Sequence, residues 1–151
     1  MTAQPDLRVS TWKLQAIGWV GVIFFSACAI LSWYSGQAYV SPWFIPFILL
    51  SAPILLLTGP VTASPEALGL MTPLGRFEIR WREIESIEHG QSNILFLSGQ
   101  KRLSIPIPEW WSGRDKQALL AVINSMVQDR EIEIKQTFRA DYLFPRQTKV
   151  D

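Results

Sequence analysis

Between Leu14 and Pro65 the chain carries no Asp, Glu, Lys or Arg. These 52 consecutive residues leave all 27 charges to the other 99. A water-soluble domain of 151 residues has no interior large enough to hide such a stretch. The natural solvent for it is hydrocarbon. The rest of the composition narrows the field. Hydrophobic residues make up 48% and charged residues 18%, too apolar for a disordered chain. A single cysteine, Cys28, excludes a disulfide-stapled scaffold. A net charge of +1 excludes a strongly basic nucleic-acid binder, so no nucleic-acid partner is expected.

The charge-free stretch divides into two helices. Residues 14–33 (LQAIGWVGVIFFSACAILSW) are twenty uncharged and mostly apolar residues, about 30 Å of helix and the thickness of a hydrocarbon core. Ser10 or Thr11 can cap the start, and Gly36 can end it. Residues 42–58 (PWFIPFILLSAPILLLT) make the second helix. There Ser41 suits the N-cap and Pro42 the first helical position, while Pro46 and Pro53 should bend it. The short uncharged link makes a hairpin. Gly18, Gly21, Cys28 and Ser32 fall near one stripe of the first helix, interrupted by Phe25, and small residues let helices approach closely. A lipoprotein signal ending at Cys28 is the rival reading, but apolar sequence continues past the cysteine and Phe25 suits that motif poorly.

Trp33, Tyr34, Tyr39 and Trp43 cluster at the hairpin tip, and Trp12 marks the other end, as interfacial aromatics do. Arg8 and Lys13 precede the first helix, Arg76, Arg80 and Arg82 follow the second, and the tip has no cation. The positive-inside rule then assigns both termini to the cytoplasm.

From Val61 the period becomes two. Residues 76–82 (RFEIRWR) alternate without fault, with Phe77, Ile79 and Trp81 on one face. Residues 102–107 alternate as well, with Pro106 marking an edge or an end. Shorter runs at 84–88 and 93–97 lie between them, and turn residues recur about every ten positions. One amphipathic helix follows, capped by Ser112 and presenting Leu119, Leu120, Ile123, Met126 and Val127 as its apolar stripe. The expected fold is thus membrane α+β: a transmembrane hairpin, then a small antiparallel sandwich or barrel with one C-terminal helix. The expected divisions are an N-terminal segment at 1–13, the hairpin at 14–58, a sheet domain at 59–130, and a strand and tail at 131–151.

The run 61–70 (VTASPEALGL), the strand FEIRWREIESI at 77–87, the segment LSIP at 103–106 and the final helix resemble a bacterial pleckstrin-homology-like domain of the membrane-tethered kind. The likeness covers residues 14 to 130. It implies a strongly bent sheet closed at one end by the C-terminal helix. It implies no single activity, since that fold serves lipid binding, peptide binding and scaffolding alike.

Chemistry is sparse. His89 is the only histidine and has no second histidine or nearby cysteine as a metal partner. Glu83, Glu85 and Glu88 read as a solvated strand face beside Arg80 and Arg82. No phosphate loop or nucleophile motif is present, so no enzyme and no cofactor are expected. Residues 59–151 hold twelve positive and twelve negative side chains, which gives no polybasic attraction to lipid. Two expectations remain for binding. Arg80, Arg82, Lys101 and Arg102 are candidates for a local lipid-facing patch. Trp110, Trp111, Phe138, Arg139, Tyr142, Phe144 and Arg146 are candidates for contact with a membrane protein partner or a second copy. The two tryptophans could instead staple sheet to helix, and the aromatic tail could dock on its own domain. The expected function is a non-enzymatic, membrane-anchored interaction module that assembles or stabilises a membrane complex. The alternative is a lipid-sensing or lipid-handling domain.

Overall fold

The computed structural model describes residues 7–99, 101–141 and 145. Helix α1 spans Trp12–Tyr34, 23 residues and about 35 Å long. A 3-10 segment, Ala38–Phe44, turns the chain back into helix α2, Ile45–Leu57. Both arms are long and apolar enough to cross a membrane. The second α-helix starts three residues later than its sequence predicts. Proline at 42 and 46 removes two amide donors from the first turns, so α-helical bonding settles only around Pro46. Ser41 is therefore not an N-cap. Its hydroxyl donates to the Ala29 carbonyl of α1 at 2.7 Å and ties the arms together.

The first sheet runs β1-β2-β3-β4 and is wholly antiparallel, with β1 at Leu7–Val9, β2 at Val61–Ala63, β3 at Ala67–Thr72 and β4 at Gly75–Arg80. Strand β1 corrects the expectation of a separate N-terminal segment. Val9 pairs with Val61 and Leu7 with Ala63, so the sheet begins before the hairpin and resumes after it. The strand Arg76–Arg82 is also shorter than its alternation implies. It stops at Arg80, and Trp81–Glu83 form a 3-10 turn. Trp81 buries its ring there, donating its indole N–H to the Ser64 carbonyl at 2.8 Å.

The second sheet runs β7-β6-β5-β8, with β5 at Ser86–His89, β6 at Asn93–Ser98, β7 at Lys101–Pro106 and β8 at Glu133–Gln136. Here the antiparallel expectation fails at one edge, because β8 pairs parallel with β5. The reason is helix α3, Lys116–Asp129, which carries the chain back along the sheet and delivers β8 in the direction of β5. Ser112 does not cap α3. It exchanges backbone hydrogen bonds with Ser10, and Asp115 takes the N-cap position.

One apolar core joins both sheets to α3. Val61, Leu68, Leu70 and Ile79 come from the first sheet, Phe96, Leu103 and Ile105 from the second, and Leu119 and Ile123 from the helix.

Candidate functional site

Strand registers define two ends of the sheet domain. Val9 leads directly into α1, and Val61 follows α2 after three residues. Strand β3 runs back toward that point, where the Met71 amide donates to the Pro60 carbonyl at 3.0 Å. A Cβ on Gly59 would collide with the Met71 carbonyl, so only glycine permits this approach. In the second sheet Asn93 and Pro106, which pair with each other, line a junction cavity together with Leu14, Pro53 and Leu57. These residues mark the helix-side end. Ala63, Ala67, Arg80, Ser86, Ser98 and Lys101 mark the far end, about 15–20 Å away along six-residue strands.

The helix-side junction is built from polar groups held out of water. Thr11 is buried, and its hydroxyl donates to the Gly59 carbonyl at 2.9 Å. The Gln15 side-chain amide donates to the Thr58 carbonyl at 3.3 Å. Two carbonyls just beyond the end of α2 are thereby bonded by side chains at the start of α1. Within the hairpin, Gly18 and Gly21 lie directly under α2. An added Cβ would stand 2.8 Å from Leu55 Cδ2 in the first case and 2.5 Å from Ser51 Oγ in the second. Phe25 stacks on Phe47 with ring centroids 5.0 Å apart, so the residue that interrupts the stripe is itself a contact. Ser32 bonds back to the Cys28 carbonyl at 2.9 Å, inside its own helix.

The basic candidates all stand at the far end. Arg80 and Arg82, with Arg130, Glu66, Pro65 and Trp81, line an open cavity of about 700 Å³. Arg130 closes one side, its guanidinium donating to the Trp81 carbonyl and, at 3.0 Å, to the Arg82 carbonyl. Lys101 Nζ lies 3.1 Å from Glu83 Oε2. That hydrogen bond holds the Glu83 carboxyl below the usual carboxylate range against its partial desolvation, and Lys101, Arg80 and Arg82 add electrostatic pull. Arg102 pairs with Leu97, one register step from this end. A patch facing the layer occupied by the helices would need these four residues at the opposite end. Arg80 and Arg82 share the cavity with Arg130, which sequence reasoning did not single out because it lies about fifty residues away in the chain, while Lys101 and Arg102 do not line it.

The aromatic candidates separate. Trp111 is 2% exposed, donates its indole N–H to the Pro106 carbonyl at 2.8 Å, and belongs to the core. It is therefore a staple and not a surface contact. Trp110 is half-buried in the junction cavity facing Leu14 and Leu57. Phe138 is 69% exposed at the helix-side end, beside a cavity of about 610 Å³ lined by His89, Glu109 and Gln136. Arg139 Nε approaches Glu88 Oε2 at 3.7 Å. Tyr142, Phe144 and Arg146 lie outside the described residues.

The tail does dock as far as Asp141, and the residue that holds it was not singled out. Its carboxylate accepts from the backbone amides of Gln91, Ser92 and Asn93 at 2.9, 2.7 and 3.1 Å. Burial works to raise the Asp141 carboxyl. The three amide bonds, helped by the nearby His89, outweigh that and hold it below its ordinary value. Nothing in the tail's composition marks Asp141, because its partners are main-chain groups of a distant turn. Among the described residues no group of three or more His, Cys, Asp or Glu is arranged to hold a metal ion. Comparisons with protein-family models, curated proteins and solved structures give no match to this chain.

Proposed function

We propose that the chain is a non-enzymatic, membrane-anchored interaction module. In this reading α1 and α2 cross the bilayer, both termini are cytoplasmic, and a pleckstrin-homology-like domain contacts a membrane protein complex that it assembles or stabilises. The observation that carries the proposal is the unequal exposure of apolar residues. The hairpin leaves Trp19, Leu31 and Leu50 largely uncovered on a charge-free surface, while the domain beside it buries residues of the same types completely. A water-facing hairpin of that composition would aggregate; a lipid-facing one is stable.

Three features support an interaction role for the domain. The sheet is tied to the hairpin before α1 and after α2, so the domain is held at the bilayer surface in one orientation. Its cationic cavity opens at the end away from the helices, where an acidic protein segment in the aqueous phase can reach it. The two sheets share one core with α3, so the domain can present a single fixed surface to a partner. The same position of the arginines speaks against the lipid-handling alternative, since the headgroups of the anchoring bilayer lie at the other end.

The test is chemical crosslinking in native membranes followed by affinity purification. The full chain is compared with the double variant Arg80→Glu, Arg82→Glu. The expected result is a stoichiometric membrane partner with the wild type, lost in the double variant. No crosslinked partner with the wild type would end the proposal. Equal recovery would move the contact away from the far end.

A further inference from the structure

We infer that the β3–β4 hairpin tip is a third membrane contact, with Leu74 seated in the lipid interface beside the base of the two helices. The inference rests on the reading that α1 and α2 span the bilayer.

The tip is short and rigid. Thr72 pairs with Gly75, leaving only Pro73 and Leu74 in the loop. The Thr72 hydroxyl donates to the Gly75 carbonyl at 3.1 Å and accepts from the Leu74 amide at 3.2 Å. Gly75 supplies the positive φ of 136° that the turn requires. Proline fixes its own φ on the other side. These constraints hold Leu74 outward at 58% exposure, and Met71 beside it is 53% exposed. A loop built only to link two strands in water would favour Asn, Asp or Gly at such positions.

Its position decides what covers it. Met71 bonds to Pro60, and Thr72 lies against Gly59, the second residue after α2 ends. Strand β3 is travelling toward the helices when it reaches the tip, so Pro73 and Leu74 project past Gly59 on the helix side. Trp12, 56% exposed, opens α1 at this same end, followed by Lys13. Arg76 follows the tip, exposed and paired with Glu78 at 2.8 Å. An exposed apolar residue at the same end as two cations and a tryptophan is the pattern suited to an interface between acyl chains and anionic headgroups.

The test uses the full chain in vesicles of mixed phosphatidylcholine and phosphatidylglycerol. Cys28→Ser removes the native thiol, and single cysteines at Leu74, Ile23 or Glu66 carry an environment-sensitive fluorophore. All three positions are exposed, so labelling does not disturb the core. The expected result has three parts. The Leu74→Cys probe shows blue-shifted emission and loses intensity with shallow spin-labelled lipid. The Ile23→Cys probe is quenched by deep spin-labelled lipid. The Glu66→Cys probe is unaffected by either. A Leu74 probe that behaves like the Glu66 probe, with Ile23 still quenched, overturns the tip contact and leaves the spanning helices intact. A Leu74 probe that is blue-shifted but unquenched assigns the tip to a protein contact and also overturns it. An unquenched Ile23 probe removes the spanning reading and the tip contact together.

Discussion

The helical hairpin and the sheet domain are built from much the same apolar residues and use them in opposite ways. In the domain, Leu68, Phe96 and Leu103 are shut away and the surface is charged. In the hairpin, Gly18 alone is buried within α1, and leucines, isoleucines and tryptophans face outward. The difference teaches that burial does not follow residue type alone. Water drives the domain to close a core, whereas the two hairpin arms, long and apolar enough to cross a membrane, are held to each other by close packing at Gly18 and Gly21 and by the Ser41 hydrogen bond. The contrast can be broken or sharpened residue by residue.

The largest effect is expected at the domain core. Phe96→Ala removes a fully buried ring shared by both sheets and should destabilise the domain by about 3–5 kcal/mol. Leu50→Ala, on the open face of α2, should change stability by roughly 0.5 kcal/mol or less. Urea unfolding in mild detergent, followed by tryptophan fluorescence, measures both. Similar losses at the two sites would mean that the hairpin also folds around a water-excluded core.

The helix pair should respond to added bulk where the domain responds to lost bulk. Gly18→Leu drives a side chain into Leu55 and should cost about 1–3 kcal/mol. Thermal unfolding in micelles reads the loss, and Val20→Leu on the exposed face serves as the control.

The two regions meet at Thr11. Thr11→Val keeps the shape but leaves the Gly59 carbonyl unsatisfied, for an expected loss of about 1–2 kcal/mol. Faster hydrogen exchange at Val9, Ser10 and Val61 should accompany it. An unchanged exchange pattern would mean that the domain stands on β1 pairing alone.

The tail should undock in acid. The Asp141 carboxyl is held below its ordinary value of 3.8, so the stabilisation is complete above that pH. It is lost as pH falls through the lowered value in the folded protein. Protection of the Gln91, Ser92 and Asn93 amides should fall over that window, and in Asp141→Asn it should be weaker and flat with pH. The smallest effect is expected at the far end. Lys101→Ala breaks a half-exposed ion pair with Glu83 and should cost about 0.5 kcal/mol or less. Chemical denaturation should find it near the experimental error.

Much of the chain could be read without coordinates. The two long helices, the strands at 93–98 and 101–106 and the apolar stripe of α3 follow from local periodicity, which nearest neighbours fix. Strand β1 was missed because Leu7-Arg8-Val9 gives a single apolar–polar–apolar repeat, too short to separate from chance. The direction of β8 was missed because strand alternation is the same for parallel and antiparallel pairing. At the candidate site, the charges of Arg80, Arg82, Lys101 and Arg102 could be read from the sequence, but the end of the domain they occupy could not. Which end of a strand meets the helices depends on the path of every connection between them.

The sequence by itself determined the apolar or polar character of each region. A charge-free stretch of 52 residues and an alternating, charge-balanced remainder are properties of composition and period, and they need no partner to be expressed. Only the tertiary structure decided how the regions are joined. It brought β1 across to β2, Thr11 to Gly59, Asp141 to the β5–β6 turn and Arg130 to the cavity of Arg80 and Arg82. Each of these contacts links residues about fifty apart, and the groups that meet are main-chain carbonyls, amides and common charged side chains. Such groups carry no local signal of their partner, so their pairing is set by the packing of the whole core.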